Sequence, residues 1–127
     1  MSVLVDTSVW VDYFRGAEDA DEVDRLIEEN IVATNDLILA ELIPALLLRG
    51  ERKLAALLRE VRRYPITVDW EGIIDMQTVC LRKGINGVGI PDLIITQNAM
   101  QHRLALLAGD RHFVLLARHV PLAIFER

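Results

Sequence analysis

Cysteine is nearly absent: the 127 residues contain one, Cys80. A single thiol closes no internal disulfide, and in apolar helical surroundings it reads as a small buried hydrophobe. No apolar run is long and uninterrupted enough to span a bilayer, which argues against a membrane helix. No basic segment precedes the apolar Val3-Leu4-Val5, so the start does not read as a signal peptide. These lacks together lead us to expect a cytoplasmic protein with no membrane partner. Positive charge is also in short supply, with 14 Lys and Arg against 19 Asp and Glu and a net charge of −5. That argues against binding nucleic acid through a broad basic surface. It leaves open an enzyme whose acidic pocket is neutralised by metal. Arg49, Arg52, Lys53, Arg59, Arg62 and Arg63 do fall close together; they read as the solvated face of one helical segment or as a nucleic-acid contact. Linkers, low-complexity stretches and repeats are missing too, so residues 1–127 form a single domain, and 52% apolar residues suffice to fill its core.

The pattern alternates strands and helices. Residues 3–6, 31–33, 66–68, 104–108 and 122–124 read as strands. A first helix starts at a Thr7-Ser8 cap and stops near Gly16, and an acidic one spans 18–30. A third, capped by Thr34 or Asn35, runs to about Gly50 with Pro44 inside, where a kink is expected. Helices over 51–63 and 69–83 follow, the latter closed by Gly84. Pro91 opens the next helix, and a short one spans 111–118. The strands are continuous apolar runs, as in a parallel sheet covered on both faces, which defines an α/β fold. Ligands of such sheets bind outside the carboxyl ends of the strands, where strand order reverses.

Four acids sit at the edges of these apolar segments, where acids are normally excluded. Asp6 and Asp110 each follow a strand, Asp92 lies in the first turn of a helix, and Glu41 stands within Leu37-Ile38-Leu39-Ala40-Glu41-Leu42-Ile43. Taken singly, an Asp after a strand is often a cap or turn former, and Asp92 could complement a helix dipole. Glu41 is harder to dismiss, because a helix apolar on all sides should be buried and a lone buried carboxylate is costly. Asp36 reads as solvent-facing. Carboxylates about 4 Å apart repel by roughly 4 kcal/mol at an effective dielectric near 20. A cluster of them holds either protons or a cation. An oxygen-only donor set favours Mg²⁺ or Mn²⁺ over Zn²⁺, and such a site suits phosphodiester hydrolysis.

The segments Leu4-Val5-Asp6-Thr7-Ser8-Val9-Trp10, Leu39-Ala40-Glu41-Leu42, Gly89-Ile90-Pro91-Asp92-Leu93-Ile94-Ile95 and Gly109-Asp110-Arg111-His112-Phe113 resemble, in order and spacing, the PIN-domain ribonucleases. The likeness spans the chain and is nearest to small VapC-type toxins of toxin–antitoxin pairs. It implies a single-domain α/β/α sandwich with a mostly parallel sheet and a Mg²⁺- or Mn²⁺-dependent endoribonuclease. Asp6 and Asp92 would be the principal metal ligands, and Asp110 would complete the site directly or through water. Glu41 would orient a water or hold a second ion, and Ser8 would hold Asp6 in place. The resemblance further implies an RNA substrate, a cognate antitoxin and a homodimer, with part of Trp10, Tyr13, Phe14 and Leu46 to Leu48 lining an antitoxin groove. Core packing is the alternative use of those side chains. The family often has an acid where this chain has His112. That histidine is either a tolerated loss or a contact to phosphate or to the metal's surroundings.

Other classes fit less well. A haloacid-dehalogenase-like phosphatase needs a second acid two residues after the first, where Ser8 stands, and a catalytic Lys near Asp110. A receiver-like module needs paired acids at the first strand and a late Lys. A housekeeping PIN nuclease and a non-catalytic PIN-like binding module remain as alternatives, the second opposed by retention of all four acids.

Overall fold

β-Branched and apolar residues make the three central strands, and their neighbours leave those strands no exposed face. The computed structural model describes residues 1–16 and 20–126; the expected helix start at Glu18 lies outside them. Strand β1 (Val3–Val5) leads into α1 (Thr7–Phe14), and α2 (Ala20–Glu28) returns to β2 (Val32–Thr34). Helices α3 (Asp36–Leu48) and α4 (Arg52–Glu60) connect to β3 (Arg62–Arg63). Helices α5 (Trp70–Lys83) and α6 (Ile90–Gln101) lead to β4 (Ala105–Leu107), then α7 (Arg111–Leu116) and β5 (Ala123–Ile124). The five strands pair in parallel in the order β3-β2-β1-β4-β5. Every residue of β1, β2 and β4 is buried, as expected for a sheet covered by helices on both faces. The fold is the expected α/β arrangement.

The chain winds outward from β1 to β2 and β3, then crosses back to β4 on the other side of β1. The topological switch point therefore lies between β1 and β4, in register Val5↔Leu107. The Asp6 amide donates to the Leu107 carbonyl at 2.9 Å, which ties the two strand ends together at that point.

Local chemistry sets the helix ends. Asn35 accepts the Ile38 amide at 2.9 Å and caps α3. Gly84 takes φ +66° after α5, the left-handed end that only glycine adopts without strain. Pro91 lies in the first turn of α6, and α3 continues through Pro44 to Leu48. The main core joins the central strands to α1, α2, α3 and α4, and a second cluster of Ile73, Met76, Cys80, Ile85, Leu93 and Leu116 lies under α5 and α6. Cys80 is buried there and its thiol pKa is pushed up by desolvation, consistent with an inert packing role.

Two expectations fail. Residues 66–68 form no strand, and the third strand is Arg62–Arg63. Side chains of α6 take the backbone groups that a ladder would use: Asn98 Nδ2 donates to Pro65 O at 3.0 Å, and Gln101 Nε2 to Thr67 O at 2.7 Å. Arg62 and Arg63 consequently belong to a sheet edge and not to a helix face.

Candidate metal and catalytic site

Asp6 is the residue that β1 delivers to the carboxyl rim, and it remains 4% exposed. Burial pushes its carboxyl pKa above the usual range. The Ser8 hydroxyl donates to Asp6 Oδ2 at 2.8 Å, and with the Thr7 and Ser8 amides it opposes that rise. Like-charge repulsion from Asp92 adds a smaller upward push. Ser8 thus stands where the sequence put it, against Asp6.

Asp92 is the third residue of α6, and its Oδ2 accepts the Gly89 amide at 3.1 Å. A carboxylate at this position satisfies an orphan donor of the helix start. His112 Nε2 lies 3.6 Å from the same oxygen. That is too long for a hydrogen bond but close enough for attraction if the ring is charged. The nitrogen is enclosed and has no hydrogen-bond partner among the described residues.

Glu41 is a correction. It is exposed, not buried, because only one side of α3 packs inward; Ala40, Glu41, Pro44, Ala45, Leu47 and Leu48 all face outward despite being mostly apolar. The Thr7 hydroxyl donates to Glu41 Oε1 at 2.8 Å, so Glu41 is held beside the residue that follows Asp6. Asp110 is the N-cap of α7, exposed, with no side-chain cap bond. The turn before it passes close to the site, since a Cβ on Gly109 would sit 3.7 Å from Ser8 Oγ.

The sequence reading missed the frame behind these side chains. Thr96, Gln97 and Asn98 are all buried within α6. Asn35 Nδ2 donates to Asn98 Oδ1 at 2.9 Å, which joins the helix carrying Glu41 to the helix carrying Asp92. Three consecutive polar residues in an otherwise apolar helix were the available signal.

Among the described residues, no group of three or more His, Cys, Asp or Glu side chains is placed to hold a metal ion, so Asp6, Asp92 and Asp110 are not brought together as one ligand set. The donor chemistry nevertheless fits a hydrated hard cation. Asp6 and Asp92 supply oxygen only, and the Asp6 carboxylate is buried, where a counter-charge would offset its desolvation. Mg²⁺ retains several waters and is held through one or two carboxylates, so a full protein cage is not needed.

A five-stranded parallel sheet covered by helices, with the buried Asp6 at its switch point, defines the fold class. The PIN-domain family model matches residues 3–118, and the chain belongs to the PIN-domain family. Among solved structures, VapBC2 from Rickettsia felis bound to a promoter DNA fragment is similar at 19% identity, with 99% of this chain and 98% of that one covered and a TM-score of 0.73. FitAcB from Neisseria gonorrhoeae is similar at 22% identity, with 98% and 96% covered and a TM-score of 0.73. VapC20 from Mycobacterium tuberculosis, a sarcin-ricin loop cleaving toxin, is similar at 22% identity, with 90% and 94% covered and a TM-score of 0.64. No curated protein sequence matches the chain significantly.

Proposed function

We propose that this PIN domain is a Mg²⁺- or Mn²⁺-dependent endoribonuclease and the toxin of a toxin–antitoxin pair. The observation that carries the reading is the buried Asp6, fixed by Ser8 at the sheet's switch point, within a family and fold shared with toxin–antitoxin structures. Asp6 and Asp92 hold the ion, with Asp110 adding to the site through water. When bound, the ion supplies a Lewis acid that polarises the phosphoryl oxygen and offsets charge on the leaving oxygen. Ser8 fixes the Asp6 carboxylate and the Gly89 amide fixes that of Asp92, so neither side chain must be ordered when RNA arrives. Glu41, steadied by Thr7 and open to solvent, orients the attacking water and accepts its proton.

The partner reading rests on an apolar groove of about 220 Å³ between α1, α2 and α4. Trp10, Tyr13, Phe14, Leu54, Leu57 and Val61 line it, and Leu57 is 65% exposed. An antitoxin helix with apolar anchors suits such a groove, and an antitoxin arginine reaching Asp6 and Asp92 would block the site. Trp70, Ile74 and Leu81, all exposed at helical spacing on α5, offer a face to a second copy of the chain. No helix of the described residues is long and apolar enough to cross a membrane, and the proposed substrate places the protein in the cytoplasm.

The purified protein should cleave single-stranded RNA with Mg²⁺ or Mn²⁺ and stop on addition of EDTA. Induced expression should arrest growth, and co-expression of the product of the reading frame immediately upstream should relieve the arrest. Cleavage without growth arrest would indicate a housekeeping nuclease; absence of cleavage would remove the enzyme reading.

A further inference from the structure

A cleft of about 290 Å³ opens between α3 and α4 beside the proposed catalytic rim. Asp36, Ala40, Ile43, Pro44, Arg59 and Arg63 line it. Its position follows from topology. Arg63 ends β3 in register with Thr34 of β2, and Asp36 begins the helix after β2. The cleft therefore sits at the carboxyl rim, two strand spacings of ~4.8 Å from the line of β1 that ends in Asp6. Ala40, part of its wall, is the chain neighbour of Glu41.

Its charge is arranged for exchange. Arg63 Nη1 lies 3.1 Å from Asp36 Oδ1, with side chains 44% and 71% exposed. An ion pair so open to water contributes little to stability, so an incoming phosphate can displace Asp36. Arg59 makes no ion pair among the described residues. Guanidinium groups present the planar fork that phosphate oxygens take in pairs. Ile43 and Pro44 supply an apolar surface opposite, suited to a base, and a cleft of a few hundred Å³ is of small-ligand size. In a chain of net charge −5, RNA must be held near carboxylates by local cations, because no broad basic field exists to hold it.

We propose that this cleft is a nucleotide subsite that takes one nucleotide of single-stranded RNA beside the scissile phosphate. Arg59 and Arg63 grip its phosphate, and the base lies against Pro44. Asp36 is a gate charge that occupies Arg63 until RNA replaces it. This rests on the ribonuclease reading, but binding can be measured without chemistry.

The test is fluorescence anisotropy of a short labelled single-stranded RNA of mixed sequence in EDTA, with folding checked by circular dichroism. Arg59→Ala and Arg63→Ala should each weaken binding by roughly threefold to tenfold and lower the salt slope by about 0.7, the loss of one phosphate contact on a single strand. Asp36→Asn should tighten binding by roughly twofold to fivefold, since it frees Arg63. With Mg²⁺ present, the arginine variants should raise KM and leave kcat near the wild-type value. Wild-type affinity in both arginine variants overturns the subsite, as does absence of RNA binding by the wild-type protein. Weaker binding in Asp36→Asn also overturns it, because the pair is then structural. A changed sedimentation coefficient with unchanged RNA affinity overturns it in favour of an interface between copies. Weakened binding in the arginine variants, in a protein that never cleaves RNA, upholds the subsite and removes the nuclease reading instead.

Discussion

His112 Nε2 faces Asp92 Oδ2 across 3.6 Å, enclosed by protein and without a hydrogen-bond partner among the described residues. The same oxygen is anchored from the other side by the Gly89 amide. The carboxylate proposed as a principal ligand is therefore confined between a backbone donor and an imidazole. An imidazole there restricts Asp92 without adding a negative charge to a site that already contains a repelling pair.

His112→Ala should leave the fold intact, because the Gly89 bond remains. It should raise the Mg²⁺ concentration for half-maximal cleavage by about 10-fold, the lower end of what loss of an outer-shell contact costs. A Mg²⁺ titration of both proteins checks this. An unchanged midpoint would make His112 a tolerated replacement and nothing more.

Asn98→Ala should destabilise the protein by about 1–3 kcal/mol, the cost of one buried polar group left unsatisfied. It strands the Asn35 amide, whereas the Pro65 carbonyl keeps His102 Nε2 at 2.9 Å. Because the Asn35–Asn98 bond joins the helices bearing Glu41 and Asp92, cleavage at a temperature where the variant remains folded should fall as well. Urea unfolding and the rate measured well below Tm separate the two effects.

Tyr13 donates to Asp24 across the α1–α2 groove, and this bond pushes its hydroxyl pKa up to about 12. The folded chain then keeps a proton that the unfolded chain loses near pH 10. The stabilisation is fully present below pH 10 and is lost as pH rises toward 12. Asp24→Asn should bring the Tyr13 transition down toward 10 in an ultraviolet titration and flatten the alkaline fall in Tm.

The places of Asp6, Asp92 and Asp110 at the ends of strands and helices were legible because the pattern that sets them is local. Asp6 and Asp110 end apolar strands, and Asp92 follows a proline in a helix's first turn; each pattern lies within a few consecutive residues. Ser8 was legible for the same reason, two positions from its partner. Glu41 was misplaced because hydrophobicity alone cannot tell a buried helix from one whose apolar side is left open, as Leu48 at 90% exposed demonstrates. The third strand was misread because Ile66-Thr67-Val68 has strand composition, while its backbone partners are side chains of α6 some thirty-odd positions later. Long-range hydrogen bonds of that kind, like Thr7 to Glu41 and Asn35 to Asn98, leave no local pattern to read.

The central claim is that Asp6 and Asp92 jointly hold the ion that drives RNA cleavage. Its most direct test is a Mg²⁺ titration of single-stranded RNA cleavage by the wild-type protein, Asp6→Asn and Asp92→Asn, each with its fold verified. The wild type should cleave in proportion to bound ion, and both variants should lose more than about 100-fold, beyond the 10–100-fold that outer-shell losses produce. Cleavage near the wild-type rate in either variant, with contaminating nuclease excluded, would contradict it.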